Sequence, residues 1–122
     1  MKRKITTENH VKEIVKDWFH AQGAWHYAPV QTPLGVHGIH DRIGCVPVVV
    51  TPDMVGKRIG LFVSVESKRP GRRGESHRGM SAHQLANLTE INAAGGFSVC
   101  CDGYEDIAGL HHLLFQQELP LV

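Results

Sequence analysis

The stretch RIGLFVSVESK, residues 58–68, places apolar side chains at Leu61, Val63 and Val65 and ends in charged residues. Side chains at positions i and i+2 of a strand project to the same face. The alternation predicts a strand over residues 58–67, with Glu66 and Lys68 pointing together on the face opposite the three apolar residues. A carboxylate and an amine are therefore expected side by side at one end of a sheet.

A second β-rich run covers residues 42–51, and the segment 52–57 between the two runs contains a proline and a glycine. This pattern predicts a hairpin with its turn near residue 55. Pro47 cannot donate a ladder hydrogen bond, so it indicates a bulge or an edge. In such a hairpin Asp41 lies opposite residues 66–69, and we expect Asp41, Glu66 and Lys68 to converge.

Two carboxylates and an amine are suited to chemistry on a phosphate. Oxygen ligands favour a hard ion such as Mg²⁺, and the backbone carbonyl of Ser67 would add one more. A lysine at this position can orient a water molecule and offset the charge that develops on phosphate oxygens. The alternative for Asp41, Glu66 and Lys68 is an ordinary cross-strand salt bridge at the edge of a sheet.

The remaining sequence predicts a mixed fold. Residues 7–22 have the periodicity of an amphipathic helix, capped by Thr7 and closed by Gly23. The pattern is completed by six further segments: a short strand (24–30), a loop (31–40), a basic loop (68–80), a helix (81–94), a strand (97–101) and a last helix (107–117). The order α-β-β-β-α-β-α predicts an α/β or α+β sandwich around a small mixed sheet, with 1–122 as a single domain. The predicted buried face of the first helix consists of Val11, Ile14, Val15, Trp18 and Phe19.

Composition excludes several classes of protein. The chain is 42% hydrophobic and 20% charged, which excludes a disordered, collagen-like or coiled-coil protein. It has neither an apolar run long enough for a bilayer nor a secretory signal. Three cysteines without metal-ligand spacing are typical of a reducing compartment. We therefore expect a cytoplasmic protein with no membrane partner.

Charge is distributed unevenly along the chain. All 13 Lys and Arg residues lie in residues 1–80 together with seven acids, whereas residues 81–122 hold five acids and no Lys or Arg. This asymmetry is compatible with a positive face opposite an acidic one, or with charges that interleave after folding. Residues 68–78 carry a net charge of +4 and three glycines or prolines within a short span, so this loop is either a solvated linker or a mobile grip on backbone phosphates. The candidate DNA-binding residues are Arg69, Arg72, Arg73 and Arg78.

Several short motifs, taken in order, resemble the virus-type replication-repair nuclease family of the PD-(D/E)XK nuclease superfamily. Its central motifs are matched by four segments: Gly38-Ile-His-Asp41, Val65-Glu66-Ser67-Lys68, Ser81-Ala-His-Gln84 and Ala94-Gly95-Gly96. Glu8-Asn-His-Val-Lys12 and Gly23-Ala-Trp-His-Tyr27 resemble its first helix and aromatic strand. The resemblance covers about residues 6–101.

The resemblance implies a restriction-endonuclease-like fold and Mg²⁺-dependent hydrolysis of DNA phosphodiesters, with Mn²⁺ as a substitute. In stand-alone phage and bacterial members it implies homodimers that cut four-way junctions, as Holliday-junction resolvases do. Matched position by position, Asp41 and Glu66 are metal ligands, Lys68 is the catalytic lysine, and Gln84 and Glu8 complete the site. The chain departs from the family in a longer segment between Gly44 and Gly60, and in having His40 before the aspartate.

Some residues have a second interpretation. Gln84 is equally the fourth position of a capping box that begins at Ser81, and Glu8 is a favourable charge in a first helical turn.

Two other functions stay open, a catalytically silent DNA-binding module and a zinc-stabilised interaction protein. His37, His40, Asp41 and Cys45 lack the spacing of structural zinc motifs. The proposed dimer has one candidate interface on the last helix, around Leu110, Leu113, Leu114 and Phe115.

Overall fold

The structure, a computed structural model, describes residues 7–30, 32–35 and 37–117. Within them the fold is mixed α+β, as the sequence predicts, and the chain divides into two compact units, Met1–Val55 and Gly56–Val122. The first unit holds α1 (Glu8–Ala21), β1 (Trp25–Tyr27) and β2 (Ile43–Cys45). The second holds β3 (Val63–Ser67), α2 (Ala82–Ala93), β4 (Phe97–Cys101) and α3 (Tyr104–Phe115).

The first unit is an antiparallel strand pair packed against the end of α1. The side chain of Thr7 accepts a hydrogen bond from the backbone of His10 at 3.2 Å, which confirms the predicted N-cap. β1 and β2 pair antiparallel with Gly44 opposite His26. A Cβ atom at Gly44 would lie 2.8 Å from Cβ of His26 and 2.9 Å from the ring of Phe19. Glycine at this position is therefore what lets the strand approach the helix.

The apolar stripe of α1 is not buried. Val11, Val15 and Trp18 are 45%, 39% and 52% exposed, and Ile14 is exposed as well. Phe19 is half-buried and stacks on His26 with ring centroids 5.3 Å apart. The predicted burial of this stripe is wrong, because strands of three residues present too little apolar surface to cover a helix of 14 residues.

The second unit is built on a parallel strand pair. β3 and β4 run in register from Val63 opposite Phe97 to Ser67 opposite Cys101. The backbone N–H of Lys68 extends the ladder by donating to the carbonyl of Cys101 at 2.8 Å. Parallel neighbours need a crossover connection, and α2 supplies it.

This pairing overturns the predicted hairpin. The run 42–51 contributes only β2, whose partner is β1, and the run 58–67 contributes only β3, whose partner is β4. Neither ladder sets Asp41 opposite residues 66–69, so the strand geometry from which we expected the two carboxylates to converge is wrong. Pro47 has no backbone N–H to donate, and the exposed valines that follow it lie outside any strand.

The core of the second unit lies between β4 and the two helices. Its buried apolar side chains are those of Ile91, Ala94, Cys100 and Leu110. α3 begins at Tyr104 rather than at the predicted residue 107, with Ile107 and Leu114 half-buried. Leu110 is buried in this core, which removes it from the predicted dimer interface, whereas Leu113 and Phe115 are exposed. Among the described residues, no helix has the length and apolar character required to cross a membrane.

Candidate functional site

Three predicted site residues meet at the carboxyl end of β3. The side-chain amide of Gln84 donates from Nε2 to Oε1 of Glu66 at 2.8 Å. The Nζ of Lys68 donates to Oε1 of Gln84 at 3.1 Å and lies 3.6 Å from Oε1 of Glu66. Glu66 and Lys68 therefore point together as the strand period predicts, and the first turn of α2 supplies the group that joins them.

Gln84 also has its capping role. Its Oε1 accepts from the backbone N–H of Ser81 at 2.9 Å, while the Ser81 hydroxyl accepts from the backbone N–H of Gln84 at 3.1 Å. This reciprocal pair is a complete capping box. The capping interpretation is thus confirmed, and the same side chain also contacts Glu66, because the cap uses Oε1 and leaves Nε2 for that carboxylate.

One face of this cluster is open. The side chain of Glu66 is 36% exposed and that of Lys68 is 18% exposed. Within the described residues only Oε1 of Glu66 is engaged in hydrogen bonds or ion pairs, so Oε2 is available to a ligand. Ser67, whose carbonyl is a predicted ligand, is the last residue of β3 and lies between the two. The arrangement offers a fixed carboxylate beside a fixed ammonium group.

The other two predicted acids, Glu8 and Asp41, lie in the first unit and line one cavity of about 510 Å³. Glu8 occupies the first turn of α1, and Asp41 precedes β2 by two residues. The structure thus groups the predicted residues in two sets, Glu8 with Asp41 in one unit and Glu66 with Lys68 and Gln84 in the other.

Arg42 lines the same cavity as Glu8 and Asp41 and is held by an imidazole. Its Nη1 lies 2.9 Å from Nδ1 of His26. An arginine only donates, so this nitrogen of the ring must be the unprotonated acceptor. Burial lowers the pKa of His26, and the positive charges of Arg42, His20 and Lys16 lower it further. The imidazole is therefore neutral at neutral pH.

The predicted DNA-binding arginines mostly have carboxylate partners in the second unit. Arg72 pairs with Glu75 within the loop. Arg78 donates to Oδ2 of Asp106 at 2.8 Å and to Oδ1 of Asp102 at 3.1 Å. Arg73 reaches the same two aspartates, and Arg69 is exposed. Charges from the basic and acidic parts of the chain therefore interleave here, and the loop is neither a free linker nor an unpaired basic arm.

These ion pairs fasten the loop 68–80 to the start of α3. Arg78 also donates to the carbonyl of Cys100 at 3.0 Å, although its own backbone is left-handed with φ of 54°. Gly79 follows with φ of 79°, and a Cβ there would lie 2.9 Å from both Nη1 of Arg72 and Oε2 of Glu75. The hydrogen bond from Arg78 holds the pKa of Asp106 well below its usual range. The cluster is thus ionised and structural.

The donor set fits a hard cation better than zinc. Among residues 7–30, 32–35 and 37–117, no group of three or more His, Cys, Asp or Glu side chains is placed to hold a metal ion. Mg²⁺ is commonly held by one or two carboxylates, with water and substrate oxygens completing its shell, and the free oxygen of Glu66 provides such a ligand. Cys45 is buried, which raises the pKa of its thiol.

Three structural features were not predicted from the sequence: the Arg42–His26 pair, the Asp102–Asp106 partners of the loop, and the parallel pairing of β3. The sequence carries no signal for the first, because Arg42 and His26 lie 16 residues apart. For the second, the signal is the absence of any basic residue after position 80 that could neutralise the acids at the start of α3.

Comparison of the chain with protein-family models, with curated proteins and with solved structures finds no match.

Proposed function

We propose that the protein is a metal-dependent, structure-selective DNA endonuclease that hydrolyses phosphodiester bonds, with four-way junctions as its substrate and a homodimer as its active form. The observation that carries the proposal is the Glu66–Gln84–Lys68 cluster. A salt bridge at a sheet edge requires only two residues. Here a third side chain, from another element, fixes both partners and leaves one carboxylate oxygen open.

Each residue of the cluster has a separate task. Glu66 would hold Mg²⁺ or Mn²⁺ through Oε2, with the carbonyl of Ser67 as a further ligand. The family resemblance assigns a metal-ligand role to Asp41 as well. The ion supplies Lewis acidity at the scissile phosphate. Lys68 keeps donor capacity beyond its bond to Gln84, so its ammonium group can orient the attacking water and offset charge on the phosphate oxygens. Gln84 keeps both side chains in these positions.

The remaining predicted residues take supporting roles in the proposal. Glu8 shares a cavity with Asp41 and would orient water or ligand there. Arg69 is exposed enough to contact backbone phosphates, whereas the other three candidates already pair with carboxylates: Arg72, Arg73 and Arg78. A twofold dimer presents two identical sites, which matches the two symmetric cuts that a four-way junction requires.

The test is single-turnover cleavage of a labelled junction with and without Mg²⁺, alongside flap, single-stranded and duplex DNA. Glu66→Gln keeps the side-chain volume but removes the charge, so cleavage should fall steeply while folding persists. Lys68→Ala should reduce the rate by about 10²–10⁴-fold. Glu105→Gln, at a carboxylate that is 82% exposed, is the matched control and should cut at the parental rate.

Two results would overturn the proposal. If Glu66→Gln is folded by circular dichroism and cuts as fast as the parent, Glu66 is only a sheet-edge salt bridge. If the parental chain shifts junction DNA but yields no product with Mg²⁺ or Mn²⁺, it is a catalytically silent binding module on this fold.

A further inference from the structure

We infer that Arg42 binds a backbone phosphate of the DNA substrate, and that His26 holds its guanidinium in place without neutralising it. The inference rests on the proposed function, because it assigns a contact for the DNA that the proposed site would cut. Its basis is the geometry of the first unit, where Arg42 and the two predicted acids line one cavity.

The guanidinium of Arg42 is oriented before any ligand binds. Its Nη1 donates to Nδ1 of His26, and the imidazole is itself fixed by stacking on Phe19 with an interplanar angle of 17°. Gly44 lies directly across the ladder from His26, and a Cβ there would lie 2.8 Å from Cβ of His26, so the glycine leaves the space that His26 needs. Two elements thus determine where the arginine points, which lowers the entropy lost when it binds an anion.

A neutral partner preserves the charge of the arginine. Arg72 and Arg78 in the second unit are paired with carboxylates, which cancel their charge towards an incoming phosphate. Arg42 makes no ion pair with a carboxylate of the described residues, although Asp41 is its neighbour in sequence. A guanidinium presents five N–H donors, so one bond to His26 leaves a fork of donors for phosphate oxygens.

The cavity is suited to a nucleotide. Its volume of about 510 Å³ falls within the range of small-ligand sites, and Lys12 on α1 adds a second cation to its lining. The apolar side of the cavity, formed by Val11, Val15 and Pro29 among others, can face a deoxyribose. The acids Glu8 and Asp41 in the same lining repel a phosphate. The two cations of the cavity, Lys12 and Arg42, offset that repulsion.

The first experiment measures binding of a fluorescent four-way junction by anisotropy in EDTA, where cleavage cannot occur, over a range of salt concentrations. Arg42→Gln should raise the dissociation constant about tenfold, the usual cost of a charge-assisted hydrogen bond. The slope of log affinity against log salt should decrease by about 0.9, the value for one lost phosphate contact. Arg58→Gln removes an exposed positive charge elsewhere and serves as the matched control. Its dissociation constant and its salt slope should equal those of the parent.

The second experiment separates a binding role of the arginine from a packing role. His26→Asn and His26→Asp have the same shape and both keep an acceptor for Arg42, but only the aspartate carries a charge. The asparagine variant should bind the junction within about twofold of the parent. The aspartate variant should show the same rise in the dissociation constant and the same decrease in the salt slope as Arg42→Gln, because a carboxylate neutralises the guanidinium. A residue that merely packs would leave junction binding equal in the two variants.

The outcomes separate this inference from the proposed function. If Arg42→Gln matches Arg58→Gln in affinity and salt slope, Arg42 does not bind DNA, whatever Glu66→Gln does to cleavage. If the parent binds junctions in an Arg42-dependent way but never cleaves them, the nuclease proposal fails and this inference stands. If either His26 variant is unfolded by circular dichroism, the comparison of Arg42→Gln with Arg58→Gln decides the question alone.

Discussion

The side-chain amide of Gln84 takes part in two hydrogen-bond systems at the same time. Through Oε1 it closes the cap of α2 and accepts from Lys68, and through Nε2 it donates to Glu66. Glutamine and glutamate are interchangeable in a capping box, because both present an oxygen to the N-cap backbone. Only glutamine can also donate to a carboxylate, so the cap alone does not explain this residue.

Replacing Gln84 with Glu should therefore separate the two roles. Gln84→Glu keeps an oxygen for the backbone of Ser81, so the cap of α2 should remain, and any fall in the thermal midpoint should come from repulsion between the new carboxylate and Glu66. It removes the donor to Glu66 and adds a second carboxylate, so junction cleavage should fall about 10–100-fold, as for partners that orient metal ligands. Single-turnover rates and thermal melts measure the two effects.

Ser81→Ala provides the complementary control. It removes the hydroxyl that accepts from the backbone of Gln84 and should cost about 1 kcal/mol of stability with little change in rate. Equal rates for Gln84→Glu and the parent would contradict the site role of the amide. An equal loss of rate in Ser81→Ala would show that the cap alone sets the geometry.

At the scale of elements, the Arg78–Asp102–Asp106 cluster fastens the loop 68–80 to the start of α3. That loop connects Lys68 to the cap of α2, so the cluster fixes the path of the chain between Lys68 and Gln84. The side chains of Asp102 and Asp106 are 9% and 10% exposed, which protects these ion pairs from the screening that weakens surface pairs.

The lowered pKa of Asp106 gives the cluster a specific acid dependence. In the unfolded chain this carboxyl protonates near 3.8, whereas in the folded chain it stays ionised to lower pH because Arg78 donates to it. The unfolded state therefore takes up protons first, and the free energy of unfolding should fall as the pH drops from about 5 towards 3. Urea unfolding followed at a series of pH values measures the slope.

Asp106→Asn is the variant for this prediction. It should lose about 1–3 kcal/mol at neutral pH, since it weakens a charge-assisted hydrogen bond to Arg78. It should also show a shallower loss of stability between pH 5 and 3 than the parent. Glu105→Gln, one residue away and exposed, should retain the parental slope. A slope in Asp106→Asn equal to that of the parent would mean that other carboxyls carry the acid dependence.

Local patterns predicted the helices and the short-range geometry well. Thr7 and Ser81 cap their helices as expected, and the period of 2 at Glu66 and Lys68 sets both on one face. These features depend on neighbours within four residues, so the sequence contains the information directly. The mixed α+β class follows from the same local signals.

Long-range pairing could not be predicted in the same way. The run 42–51 is predicted to be β-rich throughout, but only Ile43–Cys45 forms a ladder, and its partner is the aromatic strand β1 rather than the run 58–67. Strand propensity does not encode which partner wins. Loop charges pose the same problem, since a run of arginines gives no sign that Asp102 and Asp106, more than 20 residues away, will neutralise it.

At the scale of the whole molecule, the predicted catalytic residues belong to two compact units, with Asp41 and Glu8 in Met1–Val55 and Glu66 in Gly56–Val122. The family resemblance assigns a metal-ligand role to Asp41 in the first unit and to Glu66 in the second. Residues that act as a unit are strongly non-additive when mutated, whereas residues that act separately give rate losses that multiply. Kinetics can therefore show whether the two sets form one site.

The Asp41→Asn/Glu66→Gln double variant provides that measurement. If the two carboxylates hold the same ion, either single variant already removes the site, and the double variant should cut junctions within about tenfold of the slower single variant. The control is Asp53→Asn/Glu66→Gln, in which an exposed acid of the first unit is neutralised in place of Asp41. Its cleavage rate should equal that of Glu66→Gln alone. Losses for Asp41→Asn and Glu66→Gln that multiply would show two independent roles. In that case Asp41 would act in binding through its cavity, with the chemistry confined to the cluster at the end of β3.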